Sequence, residues 1–499
     1  MLYSVKQLRQ IEKTASSHRR DVTLMCAAGK LAADYALQLI EQHAASPNSR
    51  ILIVAGPGNN GGDAFETAIP LSLTDHPIDL LHLPPKATEF DASTDRDIAF
   101  KKAKARPNIN WLSADAQFND ATPSYALVID GLFGIGFLKQ VLSPSLQKQI
   151  EQINAMACPV LALDIPSGLN ADTGDVASIA IEATHTLTFI GDKPGLHTCD
   201  GNDVAGVVEV ATLGIEPSLL PDSTMTLNSP DLFPIMRQAR RHNSNKGSNG
   251  TVELIGGATG MCGALILASR AALYAGAGRI IAGFIDNPPA YDPVRPEIMC
   301  RPAIHLMKNP ASIVVIGPGS GNSIASFDLL SHALLGTNWL VIDADALNLM
   351  SQQPALMALC NGRDKATTLL TPHPLEAARL LGCSVEAIQS DRISAAKKLA
   401  RRYSSVAILK GSGTVIADPS GNVVINPTGN AGLASGGTGD VLAGICGALA
   451  AQHHSLWQAA LAATYFHGAA ADSLVRQGVG PVGLCASELL VEIRKFLNP

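Results

Sequence analysis

Ile51-Leu52-Ile53-Val54-Ala55-Gly56-Pro57-Gly58-Asn59-Asn60-Gly61-Gly62-Asp63 is the stretch that decides the fold. A short apolar run entering a glycine turn reads as a strand buried on both faces of a parallel sheet. The turn contains G-x-G-x-x-G between a strand and a helix, where backbone amides can meet a pyrophosphate. Two features set it apart from an ordinary dinucleotide turn. Pro57 removes an amide, and Asn59, Asn60 and Asp63 add side-chain oxygens that suit a hard cation or sugar hydroxyls better than phosphate. The competing reading is a tight strand-to-helix turn with polar caps.

Similar runs recur outward from this point: Ala126–Ile129 and Val160–Leu163, then Val252–Ile255, Ile313–Ile316, Leu340–Ile342 and Val406–Leu409. Helical stretches such as Leu24–His43 and Trp457–Val475 lie between them, so the expectation is α/β layers with helices on both sheet faces. Proline-rich sequence from Leu213, followed by the basic, polar Arg237–Asn245, interrupts the alternation. The expected organisation is a domain over 1–214, a linker over 215–245 and a domain over 246–499.

The chain has 499 residues, 46% of them apolar and 16% charged, which excludes intrinsic disorder. A net charge of −6 argues against nucleic-acid binding through bulk basicity, and the 4% of aromatics leaves few platforms for stacking bases. No apolar stretch approaches the roughly 18 residues of a membrane span, so no membrane partner is expected. The charged start, Met1 to Asp21, does not read as a secretory signal, and nine cysteines without a C-x-x-C pair fit a reducing compartment. The expected location is the cytosol. Ala/Gly-rich faces such as Ala460–Ala471 suggest packing against another subunit, and a homo-oligomer is expected.

In the first half, Ala126–Ile129 ends in Asp130-Gly131-Leu132-Phe133-Gly134-Ile135-Gly136-Phe137, and Val160–Leu163 ends in Asp164-Ile165-Pro166-Ser167-Gly168. Open α/β sheets bind ligands outside the carboxyl ends of their strands, so three polar turns there define one crevice. These motifs, with Phe189-Ile190-Gly191-Asp192-Lys193-Pro194-Gly195, resemble the NAD(P)H-hydrate epimerase family. The resemblance implies a Rossmann-like three-layer domain acting on nicotinamide cofactor hydrated at C6. It implies potassium on Asn60, Asp130 and Ser167, and substrate along Asn59, Asn60, Gly61, Gly62 and Asp63. It also implies substrate contacts from Gly134, Ile135, Gly136, Phe137, Leu138, Lys139 and Gln140, with Asp164 at the reacting ring. The family pattern reads G-G-D-G where this chain has Asp63-Ala64, and an Ala forced into left-handed backbone would cost about 1 kcal/mol or more.

The second half carries Lys246-Gly247-Ser248-Asn249-Gly250, Gly317-Pro318-Gly319-Ser320-Gly321, Asp343-Ala344-Asp345-Ala346-Leu347-Asn348 and Thr371-Pro372-His373-Pro374. Lys410-Gly411-Ser412-Gly413-Thr414 and Asn430-Ala431-Gly432-Leu433-Ala434-Ser435-Gly436-Gly437-Thr438-Gly439-Asp440 follow. In the last run, amides of a glycine turn at a helix N-terminus form a hole for phosphoryl oxygens. Asp440 beside it reads as a general base toward a substrate hydroxyl, or as a simple N-terminal helix charge. Lys410–Thr414 offers a cation and amides to a nucleotide phosphate, or is a hairpin turn with a solvated Lys. Asp343 and Asp345 either bind Mg²⁺ through water or cap a helix, and His373 either contacts the ligand or is structural.

This ordered set resembles ADP-dependent NAD(P)H-hydrate dehydratase, and the resemblance implies a ribokinase-like fold. Carried over, Ala264, Gly319, Gly321, His373 and Asp440 contact the hydrated cofactor. Lys410, Gly411, Ser412, Gly413, Thr414 and Gly439 contact the adenine nucleotide, with Mg²⁺ and ADP as co-substrate. The expected function is therefore a fused enzyme that epimerises R and S hydrates of NADH or NADPH and dehydrates the S form, releasing AMP and phosphate. The alternatives are a ribokinase-like small-molecule kinase with an accessory domain, and a chain whose first half only binds.

Overall fold

A computed structural model describes residues 1–18, 22–43, 49–85, 94–118, 124–137, 142–237, 240–452 and 455–498. The chain divides into two compact units, Met1–Ser223 and Thr224–Pro499. In the first, the strands are β1 (Arg50–Ala55), β2 (Ile78–His82), β3 (Ile109–Leu112), β4 (Tyr125–Gly131), β5 (Val160–Leu163), β6 (His185–Phe189) and β7 (Val207–Ala211). They form one parallel sheet in the order 3-2-1-4-5-6-7. The order reverses between β1 and β4, where Val54 pairs with Asp130 and Ala55 with Gly131. Crevices open at such a reversal, outside the carboxyl ends of the strands.

The helix Asn59–Leu71 begins after the short turn Gly56-Pro57-Gly58 that follows β1, so Asn59 and Asn60 open it and Asp63 lies one turn further on. Ala64 is a buried residue inside that helix, without left-handed backbone, and the strain considered for it does not arise. Its methyl fills space left by a glycine: a Cβ on Gly131 would stand 2.6 Å from the Cβ of Ala64.

The second unit holds β8 (Met225–Leu227), β9 (Thr251–Gly256), β10 (Arg279–Phe284), β11 (Met299–Pro302) and β12 (Ile313–Ile316). It continues with β13 (Leu340–Ile342), β14 (Thr368–Leu370), β15 (Val406–Leu409), β16 (Val415–Ala417) and β17 (Val423–Ile425). The sheet order is 11-10-9-12-13-14-15-16-17-8, parallel from β11 to β15 and antiparallel across β15–β16–β17. Strand β8 and the buried Phe233 fall within 215–245, so that stretch is not a linker throughout; part of it completes this sheet and core. The helix Leu456–Arg476 buries Ala460, Ala463, Ala470 and Ala471 in its own unit's core, which removes the subunit-packing role expected for that face. Among the described residues no helix is long and apolar enough to cross a membrane.

Candidate active sites

In the first unit the ends of β1, β4, β5 and β6 open on a cavity of about 930 Å³. Asn59, Asn60 and Asp63 reach it from the start of the helix Asn59–Leu71, Gly134 to Phe137 from the loop after β4, and Asp164 from the end of β5. Gly61 and Gly62 do not line it. A Cβ on Gly61 would overlap the carbonyl of Gly56 and one on Gly62 the thioether of Met25, so both glycines serve close packing. Leu138, Lys139 and Gln140 lie outside the described residues.

Asp130, Ser167 and Asn60 do converge. The Ser167 hydroxyl donates to Asp130 Oδ1 at 2.6 Å, and the Ser167 amide donates to Oδ2 at 2.8 Å. The amide of Phe133 donates to Ser167 Oγ at 2.8 Å, and Asn60 Nδ2 donates to the Phe133 carbonyl at 2.9 Å. Asn60 Oδ1 is buried and, among the described residues, has no donor. Burial pushes the Asp130 carboxyl up to about 6, against the lowering effect of its hydrogen bonds from Ser167 and Leu132.

Asp164 occupies left-handed backbone (φ 67°), a conformation that a non-glycine residue adopts at some cost. The kink ends β5 and places its carboxylate against Lys193 Nζ at 2.7 Å and the Phe189 amide at 3.2 Å. Lys193, 1% exposed, also donates to the carbonyls of Phe189 and Gly191, both at 3.2 Å. Sequence reading quoted Lys193 within a motif without giving it a role. The signal was the segment's one lysine, beside Asp192 in a glycine-rich run. Arg9 and Glu12, from the N-terminal helix, also line the cavity and had no motif to announce them.

In the second unit the ends of β9, β12, β13, β14 and β15 converge. Gly319, with φ 59°, lies where a Cβ would come within 3.2 Å of Ala264 Cβ, and the Gly321 amide donates to Asp345 Oδ2 at 2.9 Å. Lys410 Nζ pairs with Asp343 at 2.8 Å and lies 4.0 Å from Glu376; Thr371 Oγ1 donates to Asp343 at 2.7 Å. Lys410 through Thr414 does form the β15–β16 hairpin connection, but its lysine is turned onto buried carboxylates instead of solvent. His373 caps the helix Pro374–Leu381: its Nδ1 accepts from the Leu375 amide at 3.1 Å, while Nε2 lies 3.4 Å from Glu376. Burial and Lys410 hold its pKa below the usual value, so the ring is neutral near pH 7.

The helix Thr438–Ala451 starts at Gly437, left-handed at φ 91°, with no side-chain cap. Thr438 Oγ1 donates to the carbonyls of Leu433 and Ser435, leaving the first-turn amides open to a ligand. A Cβ on Gly439 would stand 3.2 Å from Lys410 Nζ, so the lysine adjoins this turn. Burial, followed by the charge of Asp343, raises the Asp440 carboxyl to about 6. The same causes, with Asp343 and Asp345 opposing the effect of Lys410, hold Glu376 at about 7.

A family model described as YjeF-related protein N-terminus matches residues 22–195, and one described as NAD(P)H-hydrate dehydratase matches 252–494. The bifunctional NAD(P)H-hydrate repair enzyme Nnr of Escherichia coli (strain K12) is 37% identical over 90% of this chain and 85% of its own length. Its namesake in Coxiella burnetii is 35% identical over 100% of both chains. The ADP-dependent (S)-NAD(P)H-hydrate dehydratase of Neisseria meningitidis serogroup B is 39% identical over 53% of this chain and 91% of its own. With relatives of this identity matched along nearly their whole length, the chain belongs to the family of bifunctional NAD(P)H-hydrate repair enzymes.

Proposed function

We propose that the second unit phosphorylates the C6 hydroxyl of the S hydrate from ADP and expels phosphate, while the first unit supplies S hydrate by epimerising the R form. The observation that carries this is Asp440, a carboxyl at about 6, on an uncapped glycine turn beside Lys410. Above that pH the carboxylate can take the hydroxyl proton while the turn amides hold the phosphoryl oxygens. Lys410, braced by Asp343 and Glu376, adds positive charge where the phosphoryl group passes. The nitrogen lone pair then drives out the C6 phosphate, and loss of a C5 proton restores the dihydropyridine.

Mg²⁺ belongs with the nucleotide in this reading. Among the described residues no cluster of His, Cys, Asp or Glu is built to hold a metal, and Asp343 is already paired with Lys410. In the first unit, the donorless Asn60 Oδ1, the Phe133 carbonyl and the Asp130 carboxylate are hard oxygens fitted to potassium. Asn60, Asp130 and Ser167 would hold the ion, which when bound supplies positive charge beside the glycine loops. Nine cysteines, none in a disulfide among the described residues, fit a reducing compartment, and we place the enzyme in the cytosol.

Product analysis tests the reading. Free phosphate, AMP and restored dihydronicotinamide from hydrate plus ADP are the expected products. A stable phosphorylated product would instead make the second unit a small-molecule kinase.

A further inference from the structure

The cavity of the first unit is lined by four carboxyl groups, Glu12, Asp63, Asp95 and Asp164, and by two cations, Arg9 and Lys193. Their environments differ sharply. Asp164 has a counter-ion: the buried Lys193 ammonium lies 2.7 Å away, and the Phe189 amide donates to it at 3.2 Å. Asp63 lies one turn into the helix Asn59–Leu71, where among the described residues no basic side chain pairs with its carboxyl. Its charged neighbours are Asp164, Glu12 and Glu66, and the last of these is paired with Lys102 at 2.9 Å. One carboxyl group with a built-in counter-ion and one without share a single cavity. That inequality suits one group to give a proton and the other to take one.

Resting on the epimerase reading above, we propose that Asp63 and Asp164 are the proton donor and proton acceptor of epimerisation at C6 of the hydrated ring. Asp63, as the carboxylic acid, protonates the C6 hydroxyl as the C–O bond breaks. The electron pair of that bond leaves with the water, and the N1 lone pair forms C6=N1. The planar C6 is then attacked by a water molecule on the other face, the new C–O bond draws the C6=N1 electrons back to N1, and Asp164 takes the proton that water loses. Atoms balance: one water leaves, one adds, and one proton passes from Asp63 to Asp164. The enzyme emerges in the protonation state that catalyses the reverse reaction, and exchange with solvent restores the resting state, which Lys193 favours. Burial, and after it the neighbouring carboxyl groups, raises the pKa of Asp63, which favours its acid form.

The test is steady-state epimerisation of purified R hydrate by the full-length Asp440→Asn enzyme, compared with Asp440→Asn/Asp63→Asn. The added substitution should lower kcat by about 100-fold or more while KM stays within about threefold, because the amide keeps the shape but cannot transfer a proton. The kcat/KM of the Asp440→Asn enzyme should fall as pH rises through the raised pKa of Asp63. A double variant that keeps more than about a tenth of kcat, or no alkaline fall in kcat/KM, overturns the assignment. Should the added substitution disrupt folding, the alkaline limb alone decides. Failure of the underlying reading looks different: neither the Asp440→Asn enzyme nor the unmodified enzyme would epimerise the hydrate at all.

Discussion

Asp440 carries most of the chemistry assigned to the second unit, and its environment makes its pH behaviour specific. Its carboxyl is raised to about 6 by burial and by Asp343, so the proton-accepting form is present above that pH and lost below it. Dehydration measured as kcat/KM should therefore fall with a single-proton limb as pH drops through about 6, with no such limb for a variant in which the base is absent. Asp440→Asn should lose about 10²- to 10⁴-fold in dehydration rate and leave epimerisation unchanged, which separate assays of the two reactions would check. Lys410 acts differently from a solvated phosphate hook. Because it neutralises the 1%-exposed Asp343 side chain, Lys410→Met should lower stability by about 3–5 kcal/mol, read by denaturant unfolding, besides weakening ADP in a calorimetric titration. In the first unit, Asp130→Ala should abolish epimerisation, and the unmodified enzyme should run faster in potassium than in sodium buffer. Equal rates in the two salts would leave the donorless Asn60 oxygen without a ligand.

At the scale of elements, small residues set how closely helices and strands approach. The helices Cys262–Tyr274 and Thr438–Ala451 cross where a Cβ on Gly444 would overlap the carbonyl of Ala268. Gly444→Ala should destabilise the second unit by about 1–3 kcal/mol, seen as a lower denaturation midpoint followed through dehydratase activity. The sequence was legible where structure is local. The Val/Ile/Leu runs leading into polar or glycine turns became β1, β5, β12, β13 and β15, because a strand buried on both faces must be largely apolar. The three-residue β8, Met-Thr-Leu, carried no such pattern, since its pairing with the distant β17 defines it more than its own residues do. The same limit hid Lys193, whose role exists only because the kink at Asp164 turns a carboxylate toward it. Gly61 and Gly62 meet the same limit, because a packing glycine and a ligand-facing glycine look alike in sequence.

The whole molecule joins two α/β units whose carboxyl-end crevices bear complementary chemistries. One carries unequal carboxyl groups suited to moving a hydroxyl on and off a ring carbon, the other a base and an anion-binding turn suited to phosphorylating that hydroxyl. Fusing the two means that R hydrate, which the second unit does not use, is delivered to it as S hydrate. The most direct test supplies purified R hydrate with ADP to the full chain and follows dihydronicotinamide absorbance together with AMP release. Complete conversion with one AMP per dihydronicotinamide formed, abolished by Asp440→Asn while the variant still equilibrates R with S, is the predicted result. Dihydronicotinamide formed from R hydrate by the Asp440→Asn variant, or conversion without AMP release, would contradict the account.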